Sequence, residues 1–197
     1  MYYPADSLPA KNLPQHTNRI TTMSTTKRFT FLIAPLLLCG AALAQSQQGI
    51  RDQIFGETDA VKKQADELNA QILAPSAYAE GLELYTSAGE TLAKGRDLER
   101  VREEVEQAKG FFARSIETAK LAQVTFANAL TARAGAQTAE AEKHAAREWT
   151  RAEQSLLSAA ETLEGGNLKK AGDEAIDAEK AYRETEAKAI SAKASGG

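Results

Sequence analysis

Along residues 98–122 the small and apolar positions are Leu98, Val101, Val105, Ala108, Phe112, Ser115, Ala119 and Ala122. Steps of three and four place them on one stripe of an α-helix. Seventy residues later, Leu168, Ala171, Ala175, Ala178, Tyr182, Thr185, Ala189 and Ala192 repeat the same steps. A stripe written twice implies a supersecondary unit used twice.

The rest of the pattern fills in around these two stripes. Residues 45–73 predict an N-terminal helix with a sparse stripe of Ile50, Ile54, Val61, Ala65, Leu68 and Ile72. Pro75 stops it, because the residue before a proline is pushed out of the α region. The same proline suits the first turn of a second helix, where its missing N–H costs nothing. That helix reaches Ala93 and carries Tyr78, Leu82, Tyr85, Ala88 or Gly89, and Leu92 on one face. Gly95 then fits a left-handed C-terminal cap, and Asp97 an N-cap for the third helix.

The long third helix keeps its stripe through Phe126 and Leu130, with Val105, Phe112, Ala119 and Phe126 seven apart, as a helix–helix seam requires. Residues 131–143 read as an Ala-rich extension or a frayed link. A fourth helix over 145–164 repeats the aromatic-led stripe as Trp149, Ala152, Leu156, Ala159 and Leu163. Gly165, Gly166 and Asn167 make a second turn, one residue shorter than the first, and a fifth helix runs from Leu168 to about Lys193.

The expected fold is therefore all-α. Two antiparallel helical hairpins, TPR-like or bundle-like, share one long central helix. Residues 1–44 form a leader, 45–73 the N-terminal helix, 74–143 the first hairpin with its extended second arm, and 144–197 the second hairpin. Composition agrees with this reading. Ala, Glu, Lys, Gln and Arg dominate, Pro75 is the last proline, and no run alternates with period two for long enough to argue a strand.

The leader reads as an address. Lys27 and Arg28 precede an uncharged apolar run over 29–38, and Ala42-Leu43-Ala44 offers small residues at −3 and −1 of a cut before Gln45. That is the order of a secretory signal peptide, too short to span a bilayer permanently. Met23 is the expected initiator, in preference to Met1. Leu36-Leu37-Leu38-Cys39 resembles a lipobox, which leaves an outer-membrane lipoprotein anchored through Cys39 as the alternative. The expected location is the periplasm, with no transmembrane span in the mature chain. Cleavage after Ala44 removes four of 24 basic and one of 27 acidic residues, leaving a formal charge of −6. Mild acidity argues against nucleic acid as a partner.

Candidate chemistry is thin. Cys39 is the only cysteine, and His16 and His144 are the only histidines. That excludes an intramolecular disulfide, zinc-finger spacing, a CxxCH haem attachment and an HExxH helix. Glu140, His144 and Glu148 share a helical face, yet carboxylate-bridged metal bundles need a Glu-x-x-His on each of two helices. They read as a solvated charged face. Arg100, Arg102, Glu103, Glu104, Glu106 and Lys109 read as exchanges three or four apart on an exposed helix. No metal, cofactor or catalytic residue is expected. The partner surface that the pattern suggests consists of Phe126 and Leu130, where the third helix outruns its partner and either the first helix or another protein would pack, and of Tyr85 and Trp149, which could line a groove.

A family resemblance rests on residues 74–78 (Ala-Pro-Ser-Ala-Tyr), 92–99 (Leu-Ala-Lys-Gly-Arg-Asp-Leu-Glu) and 119–126 (Ala-Lys-Leu-Ala-Gln-Val-Thr-Phe). Residues 149–153 (Trp-Thr-Arg-Ala-Glu), 163–168 (Leu-Glu-Gly-Gly-Asn-Leu) and 178–183 (Ala-Glu-Lys-Ala-Tyr-Arg) extend it. The chain resembles the alanine-rich helical-repeat domain-of-unknown-function family of Gram-negative envelope proteins. Its repeats often precede an OmpA-like peptidoglycan-binding domain. His144-Ala145-Ala146 stands where the family has a proline-bearing start to the second repeat, and the chain reaches Gly197 without an OmpA-like domain. The resemblance speaks to fold and to an outer-membrane-associated envelope address. Secretion, repetition and the absence of chemistry together point to a non-catalytic periplasmic scaffold or adaptor, with envelope proteins or peptidoglycan-associated proteins as expected partners. A peptide- or glycan-binding repeat module and self-association along the long helix are the alternatives.

Overall fold

A computed structural model describes residues 39–195, with side chains from residue 48 onward. Eight helices succeed one another: α1 Cys39–Glu67, α2 Ala70–Leu73, α3 Pro75–Ala93, α4 Leu98–Thr125, α5 Ala127–Thr138, α6 Ala141–His144, α7 Ala146–Glu164 and α8 Leu168–Ser195. The fold is all-α, with no strand among the described residues. The predicted leader lies outside the described residues up to 38, and Ala44 falls within α1.

Helices α3 and α4 pack on one another, as do α7 and α8, and α5 lies along α8. Both turns close in the same way. Gly95 N–H donates to Leu92 O at 2.9 Å and Arg96 N–H to Thr91 O at 3.3 Å; Gly166 donates to Leu163 O at 2.9 Å and Asn167 to Thr162 O at 3.2 Å. These are Schellman turns, which need a left-handed residue, and Gly95 (φ 64°) and Gly166 (φ 82°) supply it. Asp97 Oδ1 then accepts from Arg100 N–H and Asn167 Oδ1 from Lys170 N–H, both at 3.1 Å. Each caps the next helix.

The N-terminal helix is shorter than Pro75 alone would make it. It stops at Glu67, and the chain bends through Asn69 in the left-handed region before α2. The same bend recurs at Glu140 before α6. Asn69 lies at φ 55°, ψ 38° and Glu140 at φ 58°, ψ 41°. Ala74 (φ −148°, ψ 61°) matches Ala145 (φ −144°, ψ 44°). Ala146 occupies the place of Pro75, so proline does not cause this elbow. Packing does: Ala70, Ala74, Ala141 and Ala145 are all buried, which holds the backbone close to its neighbours.

The correspondence reaches further back than the two hairpins. Phe55 and Phe126 are both 1% exposed, and Ala65 and Ala136 are both at 0%. Each half of the molecule is thus a leading helix (α1 of 29 residues, α5 of 12), an elbow, a 19-residue helix, a turn and a 28-residue helix. One rod connects the halves. Between α4 and α5 only Phe126 leaves the helical region (φ −105°, ψ 17°), and Phe126 N–H to Ala122 O (2.8 Å) and Leu130 N–H to Phe126 O (2.9 Å) carry the ladder across it. The predicted extension over 131–143 is helix α5 and the elbow after it.

The stripes of α4 and α8 face the core, except at their first members and at Ala192. Leu98 is 42% and Leu168 50% exposed, because the turn carries each start away from its partner helix. On α1 the core face is Phe55, Thr58 and Ala65, while Ile50 is 40% exposed. On α3 it is Ala77, Gly81 and Ala88, while Leu82 is 40% exposed. Alanine at so many core positions lets helices approach closely. The large buried anchors are Tyr182, Phe55, Phe112, Phe126 and Leu156. Tyr78 and Trp149, which lead the predicted stripes of α3 and α7, pack against the core while remaining half-buried.

Candidate interaction site

Three groups of cation, carboxylate and tyrosine tie the helices together. Arg51 donates to Asp59 Oδ2 (3.0 Å) and to the Tyr85 hydroxyl (2.8 Å), and that hydroxyl donates to Asp59 Oδ1 (2.6 Å). Lys62 donates to Asp66 Oδ2 (2.8 Å) while Tyr78 donates to Oδ1 (2.5 Å). Arg133 grips Glu153 through Nε (2.7 Å) and Nη2 (3.1 Å), and Tyr182 donates to Glu153 Oε1 (2.6 Å). Lys62 lies over the Tyr78 ring at 5.8 Å and Arg133 over the Trp149 ring at 5.4 Å, at corresponding places in the two halves.

These contacts shift the titrations. Burial and the Asp59 bond raise the Tyr85 pKa; burial and the Glu153 bond push that of Tyr182 well beyond the tyrosine range. Burial works against the Asp66 carboxylate, but hydrogen bonds from Lys62 and Tyr78 outweigh it and hold its pKa below the usual value. None of these tyrosines is poised to ionise near neutrality. The groups hold helices together.

The sequence-predicted partner residues do not form one surface. Phe126 is buried in the main core, so it is an anchor and not a docking residue. Helix α2 packs on α4, and Gln123 Nε2 donates to Leu68 O at 3.4 Å, which covers one side of the long helix's end while Val124 stays 79% exposed. Tyr85, Leu130 and Trp149 are half-buried against the core, Tyr85 edge-on to Phe55 at 5.4 Å and Trp149 tilted against Tyr182 at 5.6 Å.

The face around His144 is a set of ion pairs. Glu140 accepts from Lys193 (2.7 Å) and lies 3.6 Å from His144 Nε2, while Glu148 accepts from Lys188. The Lys193 bond lowers the Glu140 pKa and the Lys188 bond that of Glu148. No metal-binding grouping exists among the described residues. On α4, Arg100 pairs with Glu104, Arg102 with Glu99, and Lys109 with Glu106 and with Glu57 of α1.

A sizeable concavity lies elsewhere. A groove of about 680 Å³ opens between α1 and the α3–α4 turn, floored by Phe55, Leu92 and Ala93 and walled by Ile50, Arg51 and Leu98. Its lining is mostly apolar, and its volume suits a ligand-sized guest. Sequence reasoning placed Ile50, Leu92 and Leu98 in stripes facing the core. One difference in sequence that marks this end is Ala93, which stands where the second half has Glu164.

No family model, curated protein or solved structure matches this chain. The site stands on its own geometry.

At the corresponding place in the second half the groove is filled. The elbow of the first half docks on the end of α7, burying Leu73 (2% exposed), Ala74 (0%) and Ala77 (7%) as well as Ala160 (0%) and Leu163 (5%). Glu164 completes this junction. Its Oε2 accepts from Ser76 N–H and its Oε1 from Ala77 N–H, both at 2.9 Å. A carboxylate from α7 thus caps the N-terminus of α3, where free N–H groups and the helix dipole favour negative charge.

Proposed function

We propose that this protein is a non-catalytic helical scaffold or adaptor of the cell envelope, exported to the periplasm and holding protein partners there. The observation that carries the reading is how the polar groups are used. The tyrosines, acids and cations of the three clusters are bonded into ties between helices, and the groove beside Phe55 and Leu92 is mostly apolar. A frame of this kind is suited to presenting surfaces. The signal-like leader and the resemblance to alanine-rich envelope repeats support the address. No helix among the described residues is long and apolar enough to cross a membrane.

Expression of the full chain in a Gram-negative host, with fractionation and N-terminal sequencing, tests the address. The expected product is periplasmic and begins at Gln45. A product retained in the cytoplasm would overturn the export reading, and a lipid-modified Cys39 would move the protein to a membrane surface. Turnover by the purified chain in a hydrolase and transferase panel, abolished by substituting residues of one surface cluster, would overturn the scaffold reading.

The groove favours one further reading, a module that binds peptide segments. Glycan is the poorer guest, since Tyr85 and Trp149 pack against the core and do not stand free to stack on a sugar.

A further inference from the structure

The groove beside Leu92 is the counterpart of a junction that the protein builds within itself. Gly89, Leu92 and Ala93 correspond to Ala160, Leu163 and Glu164. The second set lies beneath the docked elbow of the first half, whereas Ala93 is exposed and Gly89 and Leu92 are half-buried, Leu92 against the Phe55 cluster. Helix α1 passes the groove as α4 passes the end of α7, so the wall against which an elbow would lie is also present.

We propose that this groove is a docking socket for a helical elbow of another protein. Its guest is a short helical bend that presents a leucine and two alanines, as Leu73, Ala74 and Ala77 do, leading into the N-terminus of a helix. The proposal rests on the scaffold reading and gives it a partner surface.

A second copy of this chain does not fit the socket. The first elbow is already docked beneath Glu164. The second carries His144 and Glu148 in the places of Leu73 and Ala77, and both form ion pairs or hydrogen bonds within their own half. Burying those polar groups in an apolar groove costs more than it gains. The second elbow is thus polar at the two positions where the first is apolar.

The test is fluorescence anisotropy on the full chain, with a labelled synthetic peptide of residues 69–89 as the guest. Saturable binding is expected. A peptide bearing Leu73→Glu and Ala77→Glu should bind at least about tenfold more weakly, the cost of forcing charge into an apolar contact. Ala93→Glu on the protein should tighten binding of the unmodified peptide about fivefold, by restoring the cap that Glu164 provides. Ala93 lies at the open end of its helix, so this variant should fold normally. Absence of saturable binding to both the wild type and the Ala93→Glu protein would overturn the proposal. So would binding that ignores both the peptide and the protein substitutions. A concentration-dependent dimer, seen by light scattering and abolished by Leu92→Glu, would assign the groove to a second copy and overturn the proposal. None of these outcomes bears on turnover or export, which test the scaffold reading separately.

Discussion

Gly81 shows how tightly single residues are constrained. A Cβ built there would sit 3.0 Å from Phe112 Cε1 and 3.2 Å from Phe111 Cβ. The Phe112 ring is fully buried and held edge-on by Tyr78 at 5.6 Å, so it has little room to yield. Gly81→Ala should therefore destabilise the protein by about 1–3 kcal/mol, as overpacking does, although alanine is the better helix former. Urea unfolding should show the lowered midpoint. The corresponding Ala152 is fully buried with its Cβ in place, so the constraint belongs to the local ring position and not to the helix class. Asp66 makes a second prediction at this scale. Its folded pKa lies below its unfolded value, so the stability it contributes is present above the usual aspartate pKa near 3.8 and is lost as pH falls through the folded value. Asp66→Asn should flatten the acid side of the stability–pH profile while lowering stability near neutrality. An unchanged profile would show that the Lys62–Asp66–Tyr78 group contributes nothing.

The helices and turns were legible in the sequence where local chemistry decides them. Gly95, Asp97, Gly166 and Asn167 each hold the capping role that their side chains allow. The stripes of α4, α7 and α8 come directly from steps of three and four. The elbows were not legible, because no local rule places Glu140 in the left-handed region or ends α1 at Glu67; tertiary packing of small residues does. The correspondence of α1 with α5 was hidden for a simpler reason. Arg96 makes the first turn one residue longer, so positions before it pair at an offset of seventy-one and those after it at seventy. Searching at seventy aligns α4 with α8 but misses Phe55 with Phe126. The candidate surface failed on the same point: without that pairing, Phe126 looked like the exposed end of an overlong helix. Deleting Arg96 should convert the first turn to the geometry of the second and relieve the positive φ of Asp97 (34°). The expected change in stability is within about 1 kcal/mol and towards stabilisation, since the left-handed region is costly for non-glycine residues. A loss of several kcal/mol in thermal unfolding would mean that the two turns are not equivalent.

Across the whole molecule, two halves of one design are joined by an elbow in a socket, and a like socket at the near end is open. The functional reading depends on that junction, because it defines what the open groove would accept. The most direct measurement is amide hydrogen exchange on Glu164→Ala, combined with its unfolding free energy. Loss of the carboxylate should cost about 1–2 kcal/mol, the usual worth of a helix N-cap. Exchange at Ser76 and Ala77 should quicken relative to the Asp97-capped start of α4. Unchanged exchange at those two amides, with unchanged stability, would contradict the docked elbow and with it the assignment of the groove.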